Sequence, residues 1–275
     1  MSRGCEGAAF QKRSVSFNLI IRTCQMLEQT FVHIQKIGQK TEKRLWDRGI
    51  HTWRHFLDHH RTIFSPARDA FVREELESSI AHLADIRYFS ERLPSSEMWR
   101  VFETFKDRAV YLDIETSGLY QDVDEITVIG LYDGRTVQTF VNGKNLEEFE
   151  IAIASYDLAI TFNGSRFDLP FIRRWFKHIA LPPAHIDLCF FLRKLGYKGG
   201  LKSIEKQVGL AREEEVEGLG GFEAVLLWQA YQQGDQDALD RLVRYNRADI
   251  VNLEPLMKMG FEQMKSKLTG SNLEE

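Results

Sequence analysis

Cysteine is scarce in this sequence: three in 275 residues, Cys5, Cys24 and Cys189. Their odd number and wide spacing fit neither a disulfide framework nor a zinc-ligand pattern, so a reducing, cytoplasmic setting is expected. Long apolar runs are also lacking. A bilayer span needs about 18 such residues. The stretch Phe17 to Ile21 is interrupted by Asn18 and closed by Arg22, and it has no small-residue cleavage site. Neither a membrane segment nor a signal peptide is therefore expected. Strong net charge is missing too. A formal charge of -4 argues against a protein that coats nucleic acid through bulk charge. No internal repeat or low-complexity tract is present.

What is present is ordinary globular composition, 43% hydrophobic and 28% charged, which excludes a wholly disordered or fibrous chain. The charge is unevenly placed. Residues 1–106 carry 17 Lys/Arg against 13 Asp/Glu, while residues 107–275 carry 19 against 27. A mildly basic front half and an acidic rear half follow. An acidic half is either a solvated surface or the home of a carboxylate cluster holding a cation.

Residues 1–25 show no periodicity and are expected to lack fixed structure, and Met26 offers an alternative translation start. Residues 28–62 read as short helices around a tight turn at Gly38, with Gly49 ending one and Thr52 capping the next. A helix is expected over 66–93, from Pro66 to the break at Leu93-Pro94, followed by a linker to about residue 107. The pattern then changes. Ala109 to Ile114 is a short β-branched apolar run, and Glu125 to Tyr132 is a second strand. Asp133-Gly134 turns tightly into a third, Arg135 to Val141. A helix capped by Asn145, a strand over 158–162, a helix from Pro170 to His178 and a strand over 184–188 follow. From Leu201 on, three or four helical pieces are expected. This order predicts an α/β fold with a mixed five-stranded sheet flanked by helices. Its first three strands are antiparallel and its fourth and fifth run parallel to the first.

Asp113 and Glu115 lie two apart on the first strand, so they share a face, with Ile114 on the other. Burying two adjacent carboxylates is costly unless a cation compensates. Asp168 follows the buried fourth strand, where an N-cap is the ordinary explanation. Tyr245 and Asp249 are four apart on a helix and project together. Each feature alone has a bland reading as an exposed or capping acid. Together and in this order they resemble the DEDD superfamily of 3′–5′ exonucleases, with its ribonuclease H-like fold. The Tyr-x-x-x-Asp spacing resembles its tyrosine (DEDDy) branch. Asn163 to Pro170 looks like the second exonuclease motif of family B DNA polymerases. Asp113-Ile-Glu-Thr, Asn163-Gly-x-x-Phe-Asp168, His185-Ile-Asp187-Leu, Gly200-Leu-Lys202 and Tyr245-Asn-x-x-Asp249 resemble stand-alone YprB-like proteins. The likeness spans about residues 105–260.

The resemblance implies a ribonuclease H-like domain over 106–262, preceded by a small all-α module over 26–100 and followed by a flexible tail over 263–275. It implies two divalent cations, Mg2+ or Mn2+, and hydrolysis of DNA or RNA from a single-stranded 3′ end. Asp113 would bridge both ions, Glu115 and Asp249 would complete the first site, Asp168 would serve the second, and Tyr245 would orient the attacking water. Thr116, Asn163 and Phe167 would meet the terminal nucleotide, with core packing the competing role for Phe167. Lys198 and Lys202, flanking Gly199-Gly200, would meet phosphate. Asp187 is expected to be a structural hydrogen-bonding group, and Glu213 to Glu215 a solvated loop. The stretch His33 to Thr41 resembles a helix-hairpin-helix motif, in which Lys36, Gly38 and Lys40 would contact phosphate. Lys36 stands where that family has its first glycine. His51, His55, His59 and His60 read as a polar helix face. A catalytically silent nucleic-acid-binding module and a protein-interaction scaffold are the rival readings.

Overall fold

The computed structural model describes residues 25–120, 123–213 and 217–270. The extension expected at the start, apart from residue 25, and residues 271–275 of the expected tail lie outside them. Five strands, β1 (Ala109–Thr116), β2 (Ile126–Tyr132), β3 (Val137–Val141), β4 (Leu158–Thr161) and β5 (Ala184–Asp187), form one sheet in the order β3-β2-β1-β4-β5. β1–β2 and β2–β3 pair antiparallel, while β1–β4 and β4–β5 pair parallel. This is the mixed sheet expected from the order of elements and the ribonuclease H-like fold implied by the resemblance. The β2–β3 hairpin is set by Asp133, whose carboxylate accepts from the N–H groups of Arg135 and Thr136 at 2.9 and 2.7 Å, and by Gly134 at φ +88°. Those two residues belong to the turn, so β3 starts at Val137.

Alternation along β1 builds the two layers. Val110, Leu112 and Ile114 face a core shared with α6 (Phe149–Ile153) and α7 (Asp168–Trp175). On the other face, Tyr111 and Val128 meet residues of the last helix, α11 (Gln236–Thr269). The helices α8 (Leu188–Arg193), α9 (Leu201–Gln207) and α10 (Gly221–Gln232) complete that layer. Among the described residues no helix is long and apolar enough to cross a membrane.

Several boundaries differ from the sequence reading. The helix expected over 66–93 is two, α3 (Pro66–Ala81) and α4 (Ile86–Ser90), because Asp85 caps a new start by accepting from Arg87 N–H at 3.0 Å. Asn145 caps nothing: its side chain binds Val141 and Thr139 and ties the next helix to β3. α11 reaches Thr269, so residues 263–269 are helix rather than tail. Phe261 and Met264 are buried there, and Gly270 ends the helix at φ +70°.

The linker expected from residue 94 is packed structure. Ser95–Val101 is a 3-10 turn leading into α5 (Phe102–Phe105), and Met98, Trp99, Val101, Phe102 and Phe105 are buried. Trp99 stacks on Phe191 of α8 with centroids 5.8 Å apart. One apolar core therefore runs from Met26 to Met264. At its edge the buried Arg100 binds Glu42 of α1 (Gln39–Asp47) through two hydrogen bonds of 2.9 and 3.0 Å, and Glu97 at 2.8 Å. Glu42 also accepts from the N–H of Phe31 at 2.6 Å.

Candidate active site

β1 carries Asp113 and Glu115 toward α11, opposite Gly130 and Val128 of β2. α11 returns Tyr245, Asn246 and Asp249 to the same place. Asp113, Glu115 and Asp249 each bring a carboxylate oxygen within 4.8 Å of the others. Asp168 reaches β1 from α7 and accepts the Ile114 N–H at 3.1 Å. It is thus the first residue of its helix and bonds a strand amide instead of capping. All four carboxylates and Tyr245 line one cavity of about 300 Å³, beside Thr116, Asn163 and Phe167.

Burial dominates the electrostatics. It pushes Asp113 and Glu115 well above the carboxylate range, and the neighbouring carboxylates push the same way. Asp168 is raised to about 7, mainly by burial, although the Ile114 N–H opposes the shift. Asp249 is raised by burial against the pull of Arg212. Tyr245 is pushed up by burial and then by the surrounding carboxylates. Positive charge joining them would favour their ionised forms. The donor set is all oxygen, and Glu115 Oε1 is buried with no hydrogen-bond partner. Hard divalent cations such as Mg2+ or Mn2+ fit this set.

Two side chains outside the expected set hold the carboxylates. Asn246 is buried and donates to Asp113 Oδ2 at 3.0 Å and to its carbonyl at 3.2 Å. It can approach because residue 130 is glycine: a Cβ there would lie 2.1 Å from Asn246 Oδ1. Arg212 forms an ion pair with Asp249 and two hydrogen bonds of 2.7 and 2.8 Å with the buried Glu205. Asn246 was in view beside Tyr245 in the motif. Arg212 had no signal, since it precedes an acidic run with a solvated reading.

The remaining candidates divide. Thr116 is buried at the end of β1, and its hydroxyl donates to Gly118. Asn163 sits at φ +64°, and its N–H donates to Asp187 at 2.8 Å. Asp187 also binds Ser165 and caps α8, the structural role expected of it. Phe167 lines the cavity and packs on Phe171, with centroids 4.9 Å apart. Lys202 points to Tyr245, with Nζ donating to the phenol oxygen at 2.9 Å. Lys198, Lys36, Gly38 and Lys40 are exposed and do not line the cavity. Glu213 is exposed, and Glu214 and Glu215 lie outside the described residues.

A mixed sheet whose central strand and last helix pool carboxylates defines a ribonuclease H-like protein with an acidic cluster that could hold a cation. Residues 110–260 match the model of the RNase_H superfamily, and the chain belongs to that superfamily. No curated protein matches it. Among solved structures it is similar to Brucella melitensis NrnC (18% identity, TM-score 0.43, covering 61% of this chain and 79% of that one). NrnC is also solved with bound Mg2+ and bound to pGG. Escherichia coli RNase D, an exoribonuclease involved in structured RNA processing, is similar at 17% identity and TM-score 0.42, over 62% of this chain and 44% of that one. A family B DNA polymerase from Pyrobaculum calidifontis is similar at 16% identity and TM-score 0.45, over 55% of this chain. The chain spans 24% of that polymerase's length.

Proposed function

We propose that this protein is a two-metal-ion 3′–5′ exonuclease of the tyrosine (DEDDy) branch that shortens single-stranded DNA or RNA ends. The observation that carries the reading is the meeting of Asp113, Glu115 and Asp249 within 4.8 Å, with Asp168 and Tyr245 in the same cavity. In this reading Asp113, Glu115 and Asp249 would hold one Mg2+ or Mn2+ ion, and Asp113 and Asp168 would hold the second. When bound, the ions supply an activated water and stabilise the leaving oxygen. Tyr245 stays protonated at neutral pH because burial raises its phenol, so it orients groups and does not remove a proton. Lys202 fixes the direction of that phenol by donating to its oxygen. Thr116, Asn163 and Phe167 border the space where a terminal nucleotide would sit.

The front module is read as a backbone grip on phosphate, with Lys36, Gly38 and Lys40 at its tip and Lys198 contributing charge from the rear. Two features support this. Lys36 adopts φ +64°, the left-handed turn that glycine favours, and Gly38 starts α1 without a side-chain cap. The test uses a 5′-labelled linear single strand and an internally labelled circular one, each with Mn2+. The linear strand should shorten stepwise from its 3′ end while the circle survives. A cut circle contradicts the end-directed reading, and two untouched strands contradict the enzyme.

A further inference from the structure

Arg212 stands out because it places a buried cation against a carboxylate of the proposed metal site. Its side chain is 6% exposed and its partner Asp249 8%. Arg212 is not loosely placed. Nε and Nη2 are fixed on Glu205, and Glu205 Oε1 also accepts from Asn252 at 2.9 Å. The guanidinium therefore has one anchored partner, Glu205, and one shared partner, Asp249. Its Nη1 is buried with no hydrogen-bond partner, so the fork is left unsatisfied in this state. Without a metal ion, four neighbouring carboxylates repel one another, and Arg212 is the guanidinium paired with one of them.

We infer that Arg212 is a resident counter-ion that a divalent cation must displace from Asp249, so that this arginine sets the threshold for metal occupancy. The inference rests on the reading of Asp113, Glu115 and Asp249 as a cation site. A guanidinium and a metal ion compete for the Asp249 carboxylate, and two positive charges held by one carboxylate in a buried pocket repel strongly. Displacement needs only the Asp249 carboxylate to turn away from Nη2, which leaves the arginine paired on Glu205. Arg212 thus neutralises part of the carboxylate cluster and lowers its affinity for metal, acting as a positioning residue through Asp249.

The test is a calorimetric Mn2+ titration of the full chain without nucleic acid, comparing wild type, D113N and E205Q/R212Q. The double variant removes both charges of the buried pair, so neither is left uncompensated. Net charge is unchanged, so any gain in affinity reports the vacated Asp249 oxygen. The expected result is a Kd for E205Q/R212Q about tenfold or more below that of wild type. An equal or higher Kd in the double variant overturns the inference. Indistinguishable isotherms for wild type and D113N would instead remove the cation-site reading on which it stands. Should the double variant not fold, wild-type crystals soaked in Mn2+ decide. Arg212 Nη2 should leave Asp249 Oδ1 while the Glu205 bonds persist. An intact Arg212–Asp249 contact beside a bound ion overturns the inference.

Discussion

Four acids with little access to water behave unlike four acids on a surface, and the pH dependence of stability should show it. Asp168 titrates at about 7 when folded, against an ordinary value of 3.8. Between those values the folded state binds more protons than the unfolded one. Stability therefore falls as pH rises through that window and levels off above about 7. Asp113, Glu115 and Asp249 shift in the same direction. Melting temperature measured without divalent ions should decline from pH 4 to 7, and added Mg2+ should flatten the decline because it binds the ionised acids. Asn246→Ala removes both bonds that hold Asp113, so cleavage should slow on the order of 10–100-fold with little change in fold. An unchanged rate would show that Asp113 needs no such hold. At this scale Asp113, Glu115, Tyr245 and Asp249 were readable because strand and helix periods put them on known faces, whereas Asp168 joined them only through the resemblance of its motif. Arg212 was not, because its pairing depends on a loop folding back onto α11. Lys202 was readable as a cation near the site, and its partner in the structure is the Tyr245 phenol.

Elements were legible where the pattern is strict and blurred where side chains compete for ends. β1 and the Asp133-Gly134 hairpin follow directly from alternation and turn chemistry. The split between α3 and α4 turned on one capping aspartate, Asp85, inside a run with continuous helical spacing. The contact between β2 and α11 was invisible in sequence, since a lone glycine in a strand has several explanations. Gly130→Ala tests that contact. The added Cβ would fall 2.1 Å from Asn246 Oδ1, so the amide must turn away or α11 must retreat. Activity should drop as far as in Asn246→Ala, and the double variant should be little worse than either single one. Additive losses would place the two residues in separate roles.

For the whole molecule, the sequence suggested two modules joined by a linker, and the structure joins them through one core. The charge asymmetry and the change of period at residue 107 mark a change of architecture; they do not mark an unpacked boundary. Arg100 is the polar fastener. Arg100→Ala would leave the buried Glu42 carboxylate without its counter-ion and Glu97 with Lys194 alone, a loss of about 3–5 kcal/mol. Lys43→Ala, breaking an exposed pair with Asp47, should change stability by less than about 0.5 kcal/mol in urea unfolding. Comparable midpoints for the two variants would refute the fastening role. The most direct test of the central claim compares 3′-end shortening of a labelled single strand by wild type and by Asp113→Asn across a Mn2+ series. The account predicts a rate that rises with Mn2+ in wild type and vanishes on chelation, and at least a hundredfold loss in Asp113→Asn with its fold retained. Equal rates in the two proteins, or cleavage that persists under chelator, would contradict it.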